Sequence, residues 1–255
     1  MVEALGPGVT GLQAGDHVIF SFIPSCGECF YCRRGKPNLC DTALRLGGNL
    51  YDGTSRLSNS KGEILNHFSA TSCFAEYTVV PQQGAIKVGP DAPLDKLALI
   101  GFCVTTGVGA AINTAKVEPG SSVAIFGCGG VGLNVIQGAV LAGAGRIIAV
   151  DMLENKLAYA REFGATDIID AGQGDIAARV RDLTDGGVDY SFEAIGLKET
   201  AEQCYEMLRP GGAATIIGMI PEGTKIEIDA GDFLRRERRI QGSSMGSNRF
   251  RTDMP

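Results

Sequence analysis

The sequence lacks an excess of positive charge and lacks any long hydrophobic run. Its 255 residues include 23 Lys and Arg against 29 Asp and Glu, a formal net charge of −6. Such a chain has no electrostatic surface suited to nucleic acid or to an anionic membrane. The densest basic segment, residues 235–239, is interrupted by a glutamate and is interpreted as a solvated edge. The apolar runs are too short, or too often broken by glycine, to span a bilayer.

The first residues show no basic region followed by an apolar core, so the sequence predicts no signal peptide there. We therefore expect a cytoplasmic protein with neither a nucleic-acid nor a membrane partner. Disulfides are rare in that reducing compartment, so the 8 cysteines are expected to be thiols or metal ligands. The 44% hydrophobic content is enough for a buried core, which predicts a globular protein.

Repeats and low-complexity stretches are missing, and the 36 glycines separate short apolar runs. Before about residue 100, runs rich in β-forming residues, at 17–20 and 74–80, predict a small β-rich lobe. From residue 121 onward strands and helices alternate, which predicts parallel pairing through helical crossovers. Strands are predicted at 123–126, 146–151, 167–169, 188–192, 213–217 and 239–242, and helices at 130–142, 153–163, 176–183 and 200–208. Six such strands make a complete doubly wound sheet of the Rossmann type.

A glycine-rich turn, Gly-Cys-Gly-Gly-Val-Gly at residues 127–132, joins the predicted strand ending at Phe126 to the next helix. In this position the first glycine permits a tight turn, the second lets a pyrophosphate approach the backbone, and the third permits close packing of helix on strand. The helix N-terminus supplies amides and a dipole that favour phosphate. The turn therefore predicts a dinucleotide-binding site.

Asp151 ends the second predicted strand, where a carboxylate accepts hydrogen bonds from ribose hydroxyls. The same carboxylate would repel a 2′-phosphate, which favours NAD over NADP. The competing interpretation is that the glycines serve only as turn residues and that Asp151 only caps a helix.

Four cysteines, Cys26, Cys29, Cys32 and Cys40, lie within one loop in a Cys-x2-Cys-x2-Cys-x7-Cys pattern. Such a set suits tetrahedral zinc in a closed, sulfur-rich structural site that stabilises the fold and does no chemistry. Two alternatives are an iron–sulfur cluster, whose usual spacing differs, and four unligated thiols. Among the other cysteines, Cys73, Cys128 and Cys204 are interpreted as small buried residues.

Further motifs carry a family resemblance. They are Gly-Asp-His-Val at 15–18, Asp-Gly-Thr-Ser-Arg at 52–56, His-Phe at 67–68, Thr-Ser-Cys-Phe at 71–74 and Phe-Glu-Ala-Ile-Gly at 192–196. With the cysteine loop and the glycine-rich turn, they resemble the zinc-dependent medium-chain alcohol dehydrogenases, within which class I and class III are nearest. The resemblance covers nearly the whole chain. It implies an α/β protein with a partial GroES-like β-rich domain before the Rossmann domain. It also implies zinc, NAD, a small alcohol or aldehyde substrate, and a homo-oligomer.

The resemblance also implies roles for individual residues. Asp151 and Lys156 match contacts to the adenosine ribose, and Thr106 matches a threonine near the nicotinamide. The other matched cofactor positions are Gly127, Gly129, Gly130, Val131, Gly132, Ile195, Ile217, Gly218 and Met219. For the apolar positions among these, ordinary core packing is the alternative.

The catalytic zinc site of the family is where this sequence departs from the pattern. Two of the family's ligands, a Cys and the His of a Gly-His-Glu motif, lie upstream of where this chain starts. His17 and His67 match non-ligand positions and are interpreted as structural. The family's third ligand is the Cys of a Gly-Cys-Gly-x-x-Thr-Gly motif, which matches residues 101–107 here. Phe102 occupies the position of that Cys, and Cys103 follows it. Cys103 is either a catalytic zinc ligand after a local shift or a buried thiol, and both interpretations stay open.

We therefore expect an internal fragment of an alcohol dehydrogenase that binds NAD without turnover. Residues 1–103 are predicted to form the partial GroES-like domain, 104–246 the NAD-binding domain, and 247–255 the start of a return to the first domain. The alternative function is a short NAD- and zinc-binding protein that acts as a sensor or regulatory subunit.

The cysteine loop yields a prediction about metal content. We expect about one zinc atom per chain and no visible absorbance, because a closed four-thiolate site prefers zinc. Elemental analysis of the purified protein measures the zinc. As a matched pair, Cys40→Ser should lose the metal and Cys204→Ser should keep it. Iron with visible absorbance would contradict the zinc assignment.

Overall fold

The computed structural model describes residues 1–72 and 74–254. Contacts between residues divide these into two compact units, one of residues 1–102 and 248–254 and the other of residues 103–247. The division lies one residue from the predicted domain limit at 103. Cys73, interpreted above as a small buried residue, and Pro255, in the predicted return segment, lie outside the described residues.

The unit of residues 1–102 and 248–254 is built from short elements joined by turns. Its strands are β1 (Val18–Phe20), β2 (Leu57–Ser58), β3 (Ile64–Leu65) and β4 (Ala85–Lys87), and its helices are α1 (Phe30–Arg33), α2 (Asp41–Leu44), α3 (Leu94–Leu97) and a last helix, Phe250–Asp253. Strand β1 pairs antiparallel with β4, and β2 pairs antiparallel with β3. Single 3₁₀ turns lie at Pro37–Leu39, Phe68–Ala70 and Gln82–Gly84.

The predicted strand at residues 74–80 is wrong, since none of these residues lies in a strand of the described structure. The side chains of Tyr77 and Val79 are 73% and 75% exposed. A strand needs a hydrogen-bonded neighbour and a buried face, and these β-forming residues have no such face to bury. The local pattern alone therefore did not decide the backbone conformation here.

The unit of residues 103–247 alternates strands and helices. In chain order its elements are α4 (Thr105–Gly109), β5 (Ser122–Phe126), α5 (Gly130–Leu141), β6 (Arg146–Asp151), α6 (Glu154–Glu162), β7 (Asp167–Asp170), α7 (Ile176–Leu183), β8 (Val188–Glu193), α8 (Lys198–Glu206), β9 (Leu208–Ile216), α9 (Ala230–Arg236) and β10 (Arg239–Gly242). Segments of π-helix, Ile100–Val104 and Ala110–Ala115, flank α4, and a 3₁₀ turn lies at Met245–Ser247. Within residues 1–72 and 74–254, no helix has the length and apolar character needed to cross a membrane.

The strands of this unit form one parallel sheet in the order β10-β9-β8-β5-β6-β7 across the described residues. This is the order of a doubly wound dinucleotide-binding sheet, so the predicted fold class is confirmed. Strand order reverses between β5 and β8, and a ligand of such a sheet binds at the carboxyl ends of the strands beside that reversal.

Strand β5 lies at the centre of the sheet and is buried along its whole length. Its side chains alternate between two hydrophobic clusters. Val123 and Ile125 belong to one cluster, whereas Ala124 and Phe126 belong to the other. Both faces of the strand are therefore covered, which explains why the sequence here is an unbroken apolar run.

Arg238 corrects the interpretation of residues 235–239 as a solvated edge, because it is only 5% exposed. Its guanidinium donates to Asp232 Oδ2 at 3.1 Å and to the carbonyl of Leu208, and it lies 5.6 Å from the ring centroid of Tyr205. Burial lowers the pKa of this guanidinium from its usual value. The basic run thus contains one buried structural arginine that its composition did not reveal.

Candidate functional site

The glycine-rich turn leaves the carboxyl end of β5 and enters α5. Gly127 has a φ of +91°, a conformation that strongly favours glycine. Its amide donates to the carbonyl of Val150 at 2.8 Å, which ties the turn to β6. A Cβ atom at Gly132 would overlap the carbonyl oxygen of Gly127, so the helix and the turn approach each other without an intervening side chain.

Gly129 differs from these two glycines because a Cβ atom there would meet nothing within 4 Å. It caps the N-terminus of α5, and no side chain caps the first amides of this helix. A helix start that faces open space at the reversal of strand order is a site for a phosphate group. The residues present therefore fit a dinucleotide.

Asp151 ends β6 and is 8% exposed. Its Oδ2 accepts a hydrogen bond from the amide of Cys128 at 2.8 Å, and its Oδ1 accepts one from the amide of Leu153 at 3.0 Å. The Nζ of Lys156 lies 3.9 Å from Oδ2. The carboxylate therefore braces the glycine-rich turn and, with four lone-pair positions in total, retains the capacity to accept further bonds.

Two loops lie beside the turn, one after β8 and one after β9. A Cβ atom at Gly127 would lie 2.7 Å from Cγ1 of Ile195, so the first loop contacts the turn. Ile195 is 47% exposed and Met219 is 91% exposed, whereas Ile217 packs against the core. The predicted cofactor positions of the two loops thus share the carboxyl edge of the sheet with the glycine-rich turn.

Thr106 and Cys103 lie near the start of α5. Thr106 is buried in α4, and its hydroxyl lies 3.6 Å from Sδ of Met245. Cys103 is half-buried, and its Sγ would lie 3.4 Å from a Cβ atom at Gly130. A Cβ atom at Gly107 would overlap the carbonyl oxygen of Val131, so α4 and α5 are in close contact.

The four-cysteine loop forms a compact cluster. The sulfur atoms of Cys26, Cys29, Cys32 and Cys40 all lie within 4.8 Å of one another. Sγ of Cys40 lies 3.6 Å from that of Cys26 and 3.9 Å from that of Cys29. Tetrahedral zinc with Zn–S bonds of about 2.3 Å needs sulfur separations of about 3.8 Å. The cluster suits one ion better than an iron–sulfur cluster, in which the cysteines bind different irons and lie farther apart.

Backbone amides donate to these sulfur atoms. The amide of Cys29 lies 3.3 Å from Sγ of Cys26, and the amides of Cys26 and Ala43 lie 3.3 and 3.4 Å from Sγ of Cys40. A hydrogen bond from the amide of Cys32 is the main cause that lowers the pKa of Cys29 to about 6. These donors stabilise thiolate, which is the form that binds metal, whereas burial raises the pKa of Cys32 to about 12.

A second, catalytic zinc does not fit the described residues. Across residues 1–72 and 74–254, the four-cysteine cluster is the only group of three or more potential ligands close enough to hold a metal. His67 accepts a hydrogen bond from the amide of Arg56 at its Nε2, a structural use of the ring. We therefore derive no step through a second zinc.

Comparisons with known proteins identify the family of the chain. The family profile for the alcohol dehydrogenase GroES-like domain matches residues 1–90, and that for zinc-binding dehydrogenases matches residues 130–255. The class-3 alcohol dehydrogenase of Dictyostelium discoideum is 45% identical over 100% of this chain and 69% of its own length. The chain belongs to the zinc-dependent alcohol dehydrogenase family.

Solved structures of alcohol dehydrogenases share the fold. An alcohol dehydrogenase zinc-binding domain protein from Burkholderia ambifaria has a TM-score of 0.93 and 39% identity, with 99% of this chain and 69% of that chain covered. Benzyl alcohol dehydrogenase from Acinetobacter calcoaceticus has a TM-score of 0.90 and 35% identity, with the same coverage. These comparisons confirm the expected zinc-dependent alcohol dehydrogenase family, with its GroES-like and NAD-binding parts. The family acts on small alcohol or aldehyde substrates, as expected.

One residue of this alcohol dehydrogenase chain escaped the sequence prediction. Glu193, at the end of β8, is fully buried beneath the loop that carries Ile195. The available sequence signal is an acidic residue directly after the predicted strand at residues 188–192. Its side chain bonds to residues that follow it closely in sequence. Its backbone carbonyl accepts from Ile217 and Gly218 in the loop after β9, a contact that no local pattern shows.

The open space at Gly129 yields a prediction. Gly129→Ala should leave the free energy of unfolding nearly unchanged, yet weaken NADH binding roughly tenfold or more, because the new methyl group stands where the pyrophosphate approaches. Calorimetric titration measures the affinity. Gly132→Ala is the contrasting variant and should instead destabilise the fold. Unchanged affinity in folded Gly129→Ala would argue against a phosphate position here.

Proposed function

We propose that this chain acts in the NAD-dependent oxidation of an alcohol, as the cofactor-binding and structural-zinc part of an alcohol dehydrogenase. The observation that carries the proposal is the glycine-rich turn at the reversal of strand order, braced by the carboxylate of Asp151. When bound, NAD supplies the hydride acceptor.

The phosphate part of the cofactor would lie on the turn. Gly127 and Gly132 shape it, Gly129 leaves room for the pyrophosphate, and the amides of Gly130 and Val131 point from the helix start. Asp151 would hold the adenosine ribose, and Lys156 would lie beside it. A carboxylate at this position accepts from two ribose hydroxyls but repels a 2′-phosphate, so NAD is the proposed cofactor.

The nicotinamide half would lie against Thr106 and the loops that carry Ile195 and the stretch Ile217, Gly218 and Met219. Exposed apolar side chains such as those of Ile195 and Met219 would be covered by the ring and would exclude water from it. Cys103 is half-buried beside Gly130, and no group of three or more potential ligands among the described residues includes it, so we propose no metal role for it.

Cys26, Cys29, Cys32 and Cys40 are the proposed ligands of a structural zinc. Four thiolates leave no open coordination position, so the ion would hold its loop and take no part in the reaction. The amide donors around the sulfur atoms support this assignment.

Assembly and cellular location are further proposals. The family resemblance favours a homo-oligomer, which sedimentation of the purified protein would reveal. Four thiolates without disulfide partners favour a reducing compartment such as the cytoplasm. The domain limits of residues 1–103, 104–246 and 247–255 are retained as proposals.

Cofactor binding and turnover test the proposed function separately. The purified chain should bind NADH, whose fluorescence is simple to follow because the sequence contains no Trp. It should form no NADH from NAD with primary or aryl alcohols, because the described residues assemble no open zinc site. Failure to bind NADH would overturn the proposed function. Alcohol-dependent NADH formation would overturn the prediction of inactivity.

Asp151 should set the cofactor preference. Asp151→Ser should raise the ratio of NADP to NAD affinity about tenfold or more, because it removes the charge that faces the 2′-phosphate. Asp151→Asn separates charge from shape, since its amide oxygen can still accept from Cys128. The matched control is Asp170→Asn at the end of β7, which should leave the ratio unchanged. An unchanged ratio in both Asp151 variants would contradict the assignment.

A further inference from the structure

Glu193 is a carboxyl group with no exposed surface at the end of β8. Within the described structure, its Oε1 accepts three hydrogen bonds. The donors are the amides of Ile195 at 2.9 Å and Gly196 at 2.8 Å and the hydroxyl of Thr200 at 2.8 Å. One buried oxygen thus sets the path of the loop after β8.

The loop after β9 is also tied to Glu193. The carbonyl oxygen of Glu193 accepts from the amides of Ile217 at 2.9 Å and Gly218 at 3.0 Å. A Cβ atom at Gly218 would overlap Oε2 of Glu193 and the amide nitrogen of Gly196. The two loops therefore meet through their backbones, with the carboxyl group filling the remaining space.

The second carboxyl oxygen of Glu193, Oε2, lowers the stability of the fold. Oε2 has no hydrogen-bond partner among the residues that the structure describes. A buried polar atom without a partner destabilises a fold. An apolar residue at 193 would remove this destabilisation, but it would leave the amides of Ile195 and Gly196 without their acceptor.

The location connects this carboxyl group to the cofactor. Asp151 lies at the end of β6, on one side of the reversal of strand order, and Glu193 and Ile216 end β8 and β9 on the other side. A dinucleotide lies across such a reversal with one nucleotide on each half of the sheet. If Asp151 holds the adenosine half, the loops tied to Glu193 face the nicotinamide half.

We infer that Glu193 is a positioning residue for the nicotinamide half of the cofactor. Its Oε1 holds Ile195 and Gly196, and its backbone carbonyl holds Ile217 and Gly218, in the geometry that receives the ring. This inference rests on the proposed function, since it assumes that NAD binds at this edge.

Glu193→Leu removes the acceptor, and Glu193→Gln restores an accepting oxygen at the same position. The leucine variant should bind NADH roughly tenfold more weakly, because two loop amides lose their partner. The glutamine variant should bind NADH about as well as the wild-type chain. Thr200→Val removes the hydroxyl that donates to Glu193 and keeps the volume of the side chain. This variant replaces Glu193→Leu in the test if the leucine variant does not fold. It should weaken NADH binding to a smaller extent.

ADP-ribose, which lacks the nicotinamide, separates positioning from general damage. Its affinity should stay unchanged in every variant, because the turn and Asp151 are untouched. Ser191→Ala is the matched structural control. Ser191 is fully buried two residues earlier in β8, and its hydroxyl donates to the carbonyl of Cys204 at 2.7 Å. The Ser191→Ala variant should lower the melting temperature without changing the ratio of NADH to ADP-ribose affinity.

The outcomes are distinguishable when each affinity is measured by calorimetry on folded protein. Selective loss of NADH affinity in Glu193→Leu, or in Thr200→Val, with recovery in Glu193→Gln supports the inference. Equal loss of NADH and ADP-ribose affinity, equal loss in the leucine and glutamine variants, or no loss in a folded variant overturns it. If the wild-type chain binds neither ligand, the proposed function itself fails and the inference with it.

Discussion

Direct backbone contact at the carboxyl edge of the parallel sheet is the constraint on which the proposed cofactor site depends. The turn after β5, the loop after β8 and the loop after β9 approach one another so closely that side chains would collide. A Cβ atom at Gly127 would lie 3.1 Å from the carbonyl oxygen of Ala194, and one at Gly218 would overlap the amide of Gly196. Because these backbones fill the space, the amides of the site have little freedom to reorganise when a ligand binds.

Two acidic side chains, those of Asp151 and Glu193, connect the turn and the loops at this edge. Asp151 fastens the turn to β6, and Glu193 fastens the loop after β8 while its carbonyl holds the loop after β9. Both residues are buried at the carboxyl ends of their strands. Each accepts from backbone amides that would otherwise be buried without partners, which is why a charged side chain is tolerated there.

The four-cysteine loop is stabilised in a different way. Its helices, α1 and α2, are four residues each and contain no buried residue. A segment with so little apolar packing cannot hold its shape through hydrophobic burial. Its four sulfur atoms lie close enough together to hold one ion, so a bound zinc would replace the missing hydrophobic contacts.

The sequence by itself determined the parallel sheet, the position of the glycine-rich turn and the four-cysteine cluster. These features follow from local patterns, since apolar runs of strand length, glycines at fixed intervals and closely spaced cysteines each specify a structure over a few residues. Only the tertiary structure decided that residues 74–80 form no strand, that Arg238 is buried and that Glu193 joins two loops. Each of these depends on partners distant along the chain. A side chain's burial and its hydrogen bonds are set by what packs against it, and no local pattern encodes that.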